Sequence, residues 1–215
     1  HRKVYKKNIL LGYMHMSLAF GWFLLIVIGH LEMGFYKDTL NFPFYKAVFY
    51  RHFNLSNEPF FFSDGFTFIM DLLLLIILSG VLLAYYKRFR KKSFGFRRTT
   101  KLKLGDKLAL TSLWFLFPLR LFAESITAGI YNNGGFLTQT AGDLFATFLP
   151  LETLFSPSWL AYSISLGCFF VALPFSRYMH IPTEILYIFL KNWGIQQNEK
   201  TNGLTQIEAN ACSRC

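Results

Sequence analysis

Five histidines, three cysteines and three charged residues inside apolar runs carry the chemistry this chain could perform. The histidines are His1, His15, His30, His52 and His180. A bis-imidazole b-type haem needs one neutral imidazole on each side of the iron, supplied by facing helices. His15 and His180 are the pair that could serve this way. The cysteines are Cys168 and the pair Cys212-Ser-Arg-Cys215. A C-x-x-C pair alone is open between zinc, a redox dithiol and the first ligands of an iron–sulfur cluster. Asp71, Arg120 and Glu124 interrupt otherwise apolar stretches, where ionisable groups are costly and tend to be functional.

The elements that must position these residues follow from composition. Of 215 residues, 53% are hydrophobic, 19% aromatic and only 16% charged, with 26 Phe. Soluble domains average about 25% charged residues, so an ordinary soluble globule and a disordered chain are both excluded. Four runs approach the roughly 20 apolar residues that a membrane-crossing helix needs. They cover residues 8–31, 66–86, 108–130 and 158–180. Helices are expected because lipid satisfies no backbone polar group, and the runs lack the alternation of barrel strands. Basic residues crowd two places: Arg2, Lys3, Lys6 and Lys7 before the first run, and ten positions from Lys87 to Lys107. Loop bias of this kind places both termini and the 87–107 loop on the cytoplasmic side. It also accounts for the net charge of +10 without a nucleic-acid partner. The outer loop 34–65 is rich in Phe and Tyr and should lie on the membrane or cap the bundle, and residues 141–155 could form a short interfacial helix.

Within that frame His15 lies about 10 Å into the first span, and His180 lies at the cytoplasmic end of the fourth. Antiparallel spans bring both to one leaflet. His30 follows His15 by fifteen residues, about 22 Å along the axis and ~60° around it. A second haem between His30 and His52 is one reading; interfacial histidines are the other. Arg120 and Glu124 are an i,i+4 pair. They could form a structural ion pair, or offer a haem-propionate partner in Arg120 and a proton path through Glu124. Gly12, Gly21 and Gly29 would permit close approach of a helix or a flat macrocycle. Cys168 reads as a small core residue.

The stretch Pro174-Phe-Ser-Arg-Tyr-Met-His180-Ile-Pro-Thr183 resembles the end of the last span in the nitrate reductase gamma-subunit-like cytochromes b. Glu208–Cys215 is similar to the opening of the ferredoxin-type domain that follows that segment in membrane-bound heterodisulfide reductase-like iron–sulfur oxidoreductases. Tyr13-Met-His15 and Gly29-His30 resemble the family's two histidine positions on an early helix. The gamma subunit has a further first span, more closely spaced histidines and an outer ligand on its last helix, so what carries over is the inner haem, through His15 and His180. The resemblance implies the cytochrome b part of a quinone-linked oxidoreductase in a bacterial or archaeal inner membrane. Electrons would pass between a quinone pool and a cytoplasmic iron–sulfur partner.

The expectation is therefore an all-α integral membrane four-helix bundle with cytoplasmic N- and C-termini. Residues 1–193 would form the cytochrome b-like domain. Residues 194–215 would be a linker and the start of an iron–sulfur domain. The cofactors would be one haem b, or two, with quinone as substrate; Cys212 and Cys215 would hold a 4Fe–4S cluster only in a longer chain. The alternatives are a non-redox membrane anchor, a transporter subunit lined by Asp71, Arg120 and Glu124, and a zinc-binding tail.

Overall fold

A computed structural model of the chain describes residues 9–37, 41, 43–55, 60–89 and 104–179, and 183, 186, 188–190, 192 and 193 beyond them. Those residues are helical or in turns, with no strand among them. The elements are α1 (Ile9–Lys37), α2 (Phe44–Val48), α3 (Tyr50–Phe53), α4 (Ser63–Phe89), α5 (Leu104–Tyr131), α6 (Phe136–Ala146) and α7 (Leu151–Ala172), then two 3₁₀ turns, Leu173–Phe175 and Arg177–Met179. Four helices, α1, α4, α5 and α7, are long and apolar enough to cross a membrane. The chain divides into two compact units, one of His1–Thr99 with Trp114–Ser163 and one of Thr100–Leu113 with Ile164–Cys215.

The four long helices coincide with the four apolar runs, but their ends differ. α1 continues past Leu31 to Lys37, because Glu32, Met33 and Gly34 are buried rather than solvated. The fourth helix starts at Leu151, behind Pro150, and ends at Ala172. Proline favours the start of a helix, since its missing N–H is unneeded there. The α geometry thus stops before His180, and Pro174 sits inside the first 3₁₀ turn. The interfacial helix expected over 141–155 is instead α6, which begins at Phe136.

In the first unit α1 lies along α4. Met14, Ser17, Gly21 and Leu25 repeat at the three-to-four residue spacing that puts them on one face, and all are buried. A Cβ on Gly21 would fall 2.8 Å from Ile77 Cγ1. The small residue therefore serves helix packing, as membrane helices often require. Tyr13 and Ser79 join their hydroxyls across the same pair at 2.6 Å. Toward the other end of α1, Met33, Ala47 and Tyr50 form an apolar cluster that fixes α2 and α3 to α1, with Tyr36 and Phe60 packed against it.

α5 and α6 meet backbone to backbone. A Cβ on Gly129 would sit 2.9 Å from the Gly142 carbonyl oxygen, and one on Gly142 would sit 2.7 Å from the Gly129 nitrogen. The turn between them is Asn132-Asn133-Gly134-Gly135. Asn132 adopts φ 52°, a left-handed conformation that ends α5 while its N–H still donates to Ala128 O. Trp159 of α7 donates from Nε1 to Thr127 Oγ1 of α5 at 2.9 Å.

In the second unit serine hydroxyls join described segments. Ser165 donates to the Ser112 carbonyl at 2.9 Å, and the Ser112 hydroxyl donates back to Leu108 O within α5. Tyr178 packs its ring on Phe169, with centroids 5.7 Å apart.

Candidate functional site

Ionisable side chains from four elements of the first unit converge near the ends of α1, α4 and α5. Glu32 closes the buried face of α1 and is 1% exposed. It lies within electrostatic reach of Arg51, Glu124, Arg120 and Asp71. Its Oε1 receives Arg51 at 3.4 Å, and its Oε2 has no hydrogen-bond partner among the described residues. Arg51, carried in by α3, also donates to Thr67 Oγ1 at 2.8 Å and to the Asn133 carbonyl. Asn133 in turn donates to the Asn54 carbonyl at 3.0 Å. One guanidinium thus ties α1, α3, α4 and the α5–α6 turn together. A planar fork with five donors suits that task, where a lysine would offer a single point charge.

Asp71 on α4 is 3% exposed and has a full set of donors. The Leu137 and Thr138 amides reach its Oδ2 at 2.7 and 3.0 Å, and the Thr138 hydroxyl donates to Oδ1 at 3.0 Å. It supplies the N-terminal cap that Gly135, having no side chain, cannot give α6. A carboxylate at a helix N-terminus also meets the positive end of the helix dipole. Arg120 and Glu124 form the expected i,i+4 pair. Arg120 Nε and NH2 both reach Glu124 Oε1 at 3.0 Å. The Tyr162 hydroxyl, which α7 brings in, lies within electrostatic reach of Arg120 and Glu124.

Three carboxylates thus face two guanidiniums. Two of the three are fully served, Asp71 by amides and Glu124 by Arg120. Glu32 is the partly served one. Beside Arg51 a cavity of about 450 Å³ opens. Its polar lining includes Asn54, Asp64, Thr67 and Asn133, with Tyr50 and Phe68 among its aromatic walls. Tyr50 is buried and its hydroxyl accepts from Asn54 Nδ2. Burial, with the Glu32 charge added, pushes the Tyr50 phenol above its usual range.

The histidines fare differently. His15 and His30 are both partly buried on α1. His15 flanks the packed face of α1 rather than sitting in it, about 9 Å from the helix start at 1.5 Å per residue. His30 is next to Gly29, which lies against the Ala47 carbonyl. His52 stacks on Phe155 with centroids 5.4 Å apart and an 18° interplanar angle, and packs against Trp159 at 5.3 Å. Its Nδ1 is enclosed without a hydrogen-bond partner among the described residues. Burial lowers its pKa, which favours the neutral imidazole. His180, Cys212 and Cys215 lie outside the described residues. Cys168 is exposed on α7, not in a core as its type suggested. No cluster of three metal-ligating side chains occurs among the described residues.

Glu32 and Arg51 were not candidates from the sequence. Glu32 lies just past the apolar run, and Arg51 lies in a loop with other cations. The signal for Glu32 was present in the spacing Gly21, Leu25, Gly29, Glu32, which continues the buried face of α1. Arg51 carried no such periodicity.

Family models, curated proteins and solved structures were compared with this chain, and none matches.

Proposed function

We propose that the chain is a membrane electron-transfer module that works between a quinone pool and a cytoplasmic iron–sulfur partner. The observation that carries this reading is His15, a partly buried imidazole within the first membrane-spanning helix. It is joined by the sequence likeness around His180 and Cys212-Ser-Arg-Cys215. In this reading His15 would supply one imidazole to a b-type haem and His180 the other. A haem held there supplies one-electron redox chemistry within the membrane.

The remaining roles belong to the chain's own side chains. Basic residues in 87–107 and before residue 8 would keep both ends on the cytoplasmic face of a bacterial or archaeal inner membrane. Arg120 is paired with Glu124, so it would turn to a propionate only if that pair opened. The same holds for Glu124 as a proton carrier. His30 and His52 remain the candidates for a second haem, although the His52 ring is already flanked by Phe155 and Trp159. Cys212 and Cys215 would ligate a cluster only with further cysteines.

A transporter subunit is the second reading. The polar cavity at Arg51, beside buried Glu32 and Asp71, favours it, since such groups mark ion and substrate pathways.

The deciding experiment is a dithionite-reduced minus air-oxidised absorption spectrum of detergent-purified protein from a haem-replete host. Sharp b-type bands, lost in His15→Ala and His180→Ala but kept in His30→Ala, are expected for a single haem. Loss of half the haem in His30→Ala and His52→Ala would establish two. A well-folded helical preparation without haem overturns the redox reading and leaves the transporter or anchor.

A further inference from the structure

We propose that the cavity beside Arg51 binds the headgroup of a zwitterionic phospholipid, with the phosphate on Arg51 and the ammonium on Asp64. The inference does not rest on the haem reading, and every residue in it belongs to the first unit.

The cavity is built where spanning helices end. Its lining comes from the segment around Arg51, the first two turns of α4 and the turn that follows α5. α4 has 27 residues and α5 has 28. At 1.5 Å per residue each helix is about 40 Å long, against a hydrocarbon core of about 30 Å. Helices of that length, crossing a bilayer, put their terminal turns in the headgroup layer.

The charges select the class of ligand. Arg51 and Asp64 both line the cavity, yet the acid paired with Arg51 is Glu32. Asp64 is exposed and has no hydrogen-bond or ion-pair partner among the described residues. Arg51 commits three N–H groups, to Glu32, Thr67 and the Asn133 carbonyl. A guanidinium has five, so two are left for a ligand. An anion alone would meet the Asp64 carboxylate, and a cation alone would meet the guanidinium. A molecule that carries both charges satisfies both groups. Phosphate suits the guanidinium, and an ammonium suits the carboxylate, through charge-assisted hydrogen bonds. The volume of about 450 Å³ lies within the range of ligand pockets.

The surrounding rings favour a lipid over a water-soluble zwitterion. Phe68 and Phe136 line the cavity with centroids 5.3 Å apart, and both are exposed. Phe61 and Phe62, at the start of α4, are exposed as well. Phe62 adopts φ 62°, a left-handed conformation that bulky side chains rarely take. Its ring lies over Gly65, where a Cβ would strike it, and packs on Phe66 with centroids 5.8 Å apart. Such strain persists where the surroundings demand it. Aromatic rings prefer the headgroup level of a bilayer. The glycerol and upper acyl chains would run along these rings while the charged group enters the cavity.

The test is native mass spectrometry of the full chain from detergent, titrated separately with phosphatidylethanolamine, phosphatidylglycerol and water-soluble phosphoethanolamine. Arg51→Gln would disturb the four elements that Arg51 ties as well as the site, so Asp64→Asn is the variant that decides. Glu152→Gln is the control, an exposed carboxylate likewise in the first turn of a spanning helix but outside the cavity. The expected result is that wild type and Glu152→Gln bind phosphatidylethanolamine equally. Asp64→Asn should bind it about tenfold more weakly, the loss of one hydrogen bond to a charged group. Phosphatidylglycerol bound as tightly as phosphatidylethanolamine overturns the zwitterion. Phosphoethanolamine bound as tightly as the lipid assigns the cavity to a free solute and overturns the lipid. Equal binding by wild type and Asp64→Asn, or no binding, overturns the site. None of these readouts involves haem, so each leaves the redox reading where it stands.

Discussion

The charged cluster of the first unit and the described part of the second are fastened by different contacts. In the first, Arg51 holds three elements, Asp71 caps a helix that begins elsewhere in the chain, and Arg120 pairs with Glu124. Among the described residues of the second unit, Gly105 is pressed against the Phe175 backbone, Ser165 joins α7 to α5, Ser176 holds the 3₁₀ turns, and Asp106 is buried in the first turn of α5. Buried charges are strong when complete and severe when broken. Glycine contacts and hydroxyl bonds are weaker, and their loss shifts geometry more than it unfolds. A change at the buried charges of the first unit should therefore cost more than a change at the serine hydroxyls of the second.

The largest expected effect tests the buried charges. Arg120→Met leaves Glu124 and Tyr162 facing an apolar side chain, and should lower stability by about 3–5 kcal/mol, the usual cost of leaving a buried charge unpaired. Arg120→Met combined with Glu124→Leu should recover most of it, since an apolar pair carries no desolvation cost. Thermal unfolding in detergent of both single variants and the double gives the coupling. A double variant no better than the sum of the singles would show that the pair contributes as two separate charges and not as a unit.

Asp71→Asn comes next. The amide keeps one acceptor oxygen but loses the charge that two backbone N–H groups and the Thr138 hydroxyl are turned toward. Hydrogen bonds to charged groups contribute about 1.5–3 kcal/mol, so a loss of about 2 kcal/mol is expected. It should be local: amide exchange at Leu137 and Thr138 accelerates while α1 is unchanged. Uniform acceleration would mean that α6 is not an independently held element.

Gly142→Val tests close packing within the same unit. The new side chain would strike the Gly129 and Ser125 backbone, so α6 must move off α5. Overpacking costs about 1–3 kcal/mol. Amide exchange near Gly129 should rise with it.

How much of this was legible in the chain divides along the same line. The four spans were readable because apolar runs are long and one-dimensional. The Arg120–Glu124 pair was readable because an i,i+4 spacing on a helix needs no tertiary knowledge. Asp71 was visible as a buried charge, but its role was not: its partners are backbone amides of a helix some sixty-six residues away. Glu32 escaped because the apolar count ends at Leu31, while its burial depends on the segment after α1 folding back to place Ala47 and Tyr50 on that helix. Arg51 escaped because nothing in a loop's composition says which of several cations turns inward. The histidines are the reverse case. Their type suggests chemistry at once, yet His52 turns out to lie in an aromatic nest, and the early end of the fourth helix was hidden because Leu173-Pro174-Phe175 is as apolar as the helix before it.

The smallest effect is the sharpest test of the contrast. Ser165 donates to the Ser112 carbonyl at 2.9 Å, tying α7 to α5 in the second unit. That carbonyl belongs to an α-helix and also accepts from the N–H four residues on, so removing the serine hydroxyl leaves no orphaned acceptor. Hydrogen bonds between helices in a membrane average only about 0.6 kcal/mol, partly because the separated helices find other partners. Ser165→Ala should therefore cost about 0.6 kcal/mol, well below Asp71→Asn, when the two are compared by unfolding under one detergent condition. If Ser165→Ala costs as much as Asp71→Asn, the second unit is fastened as tightly as the first.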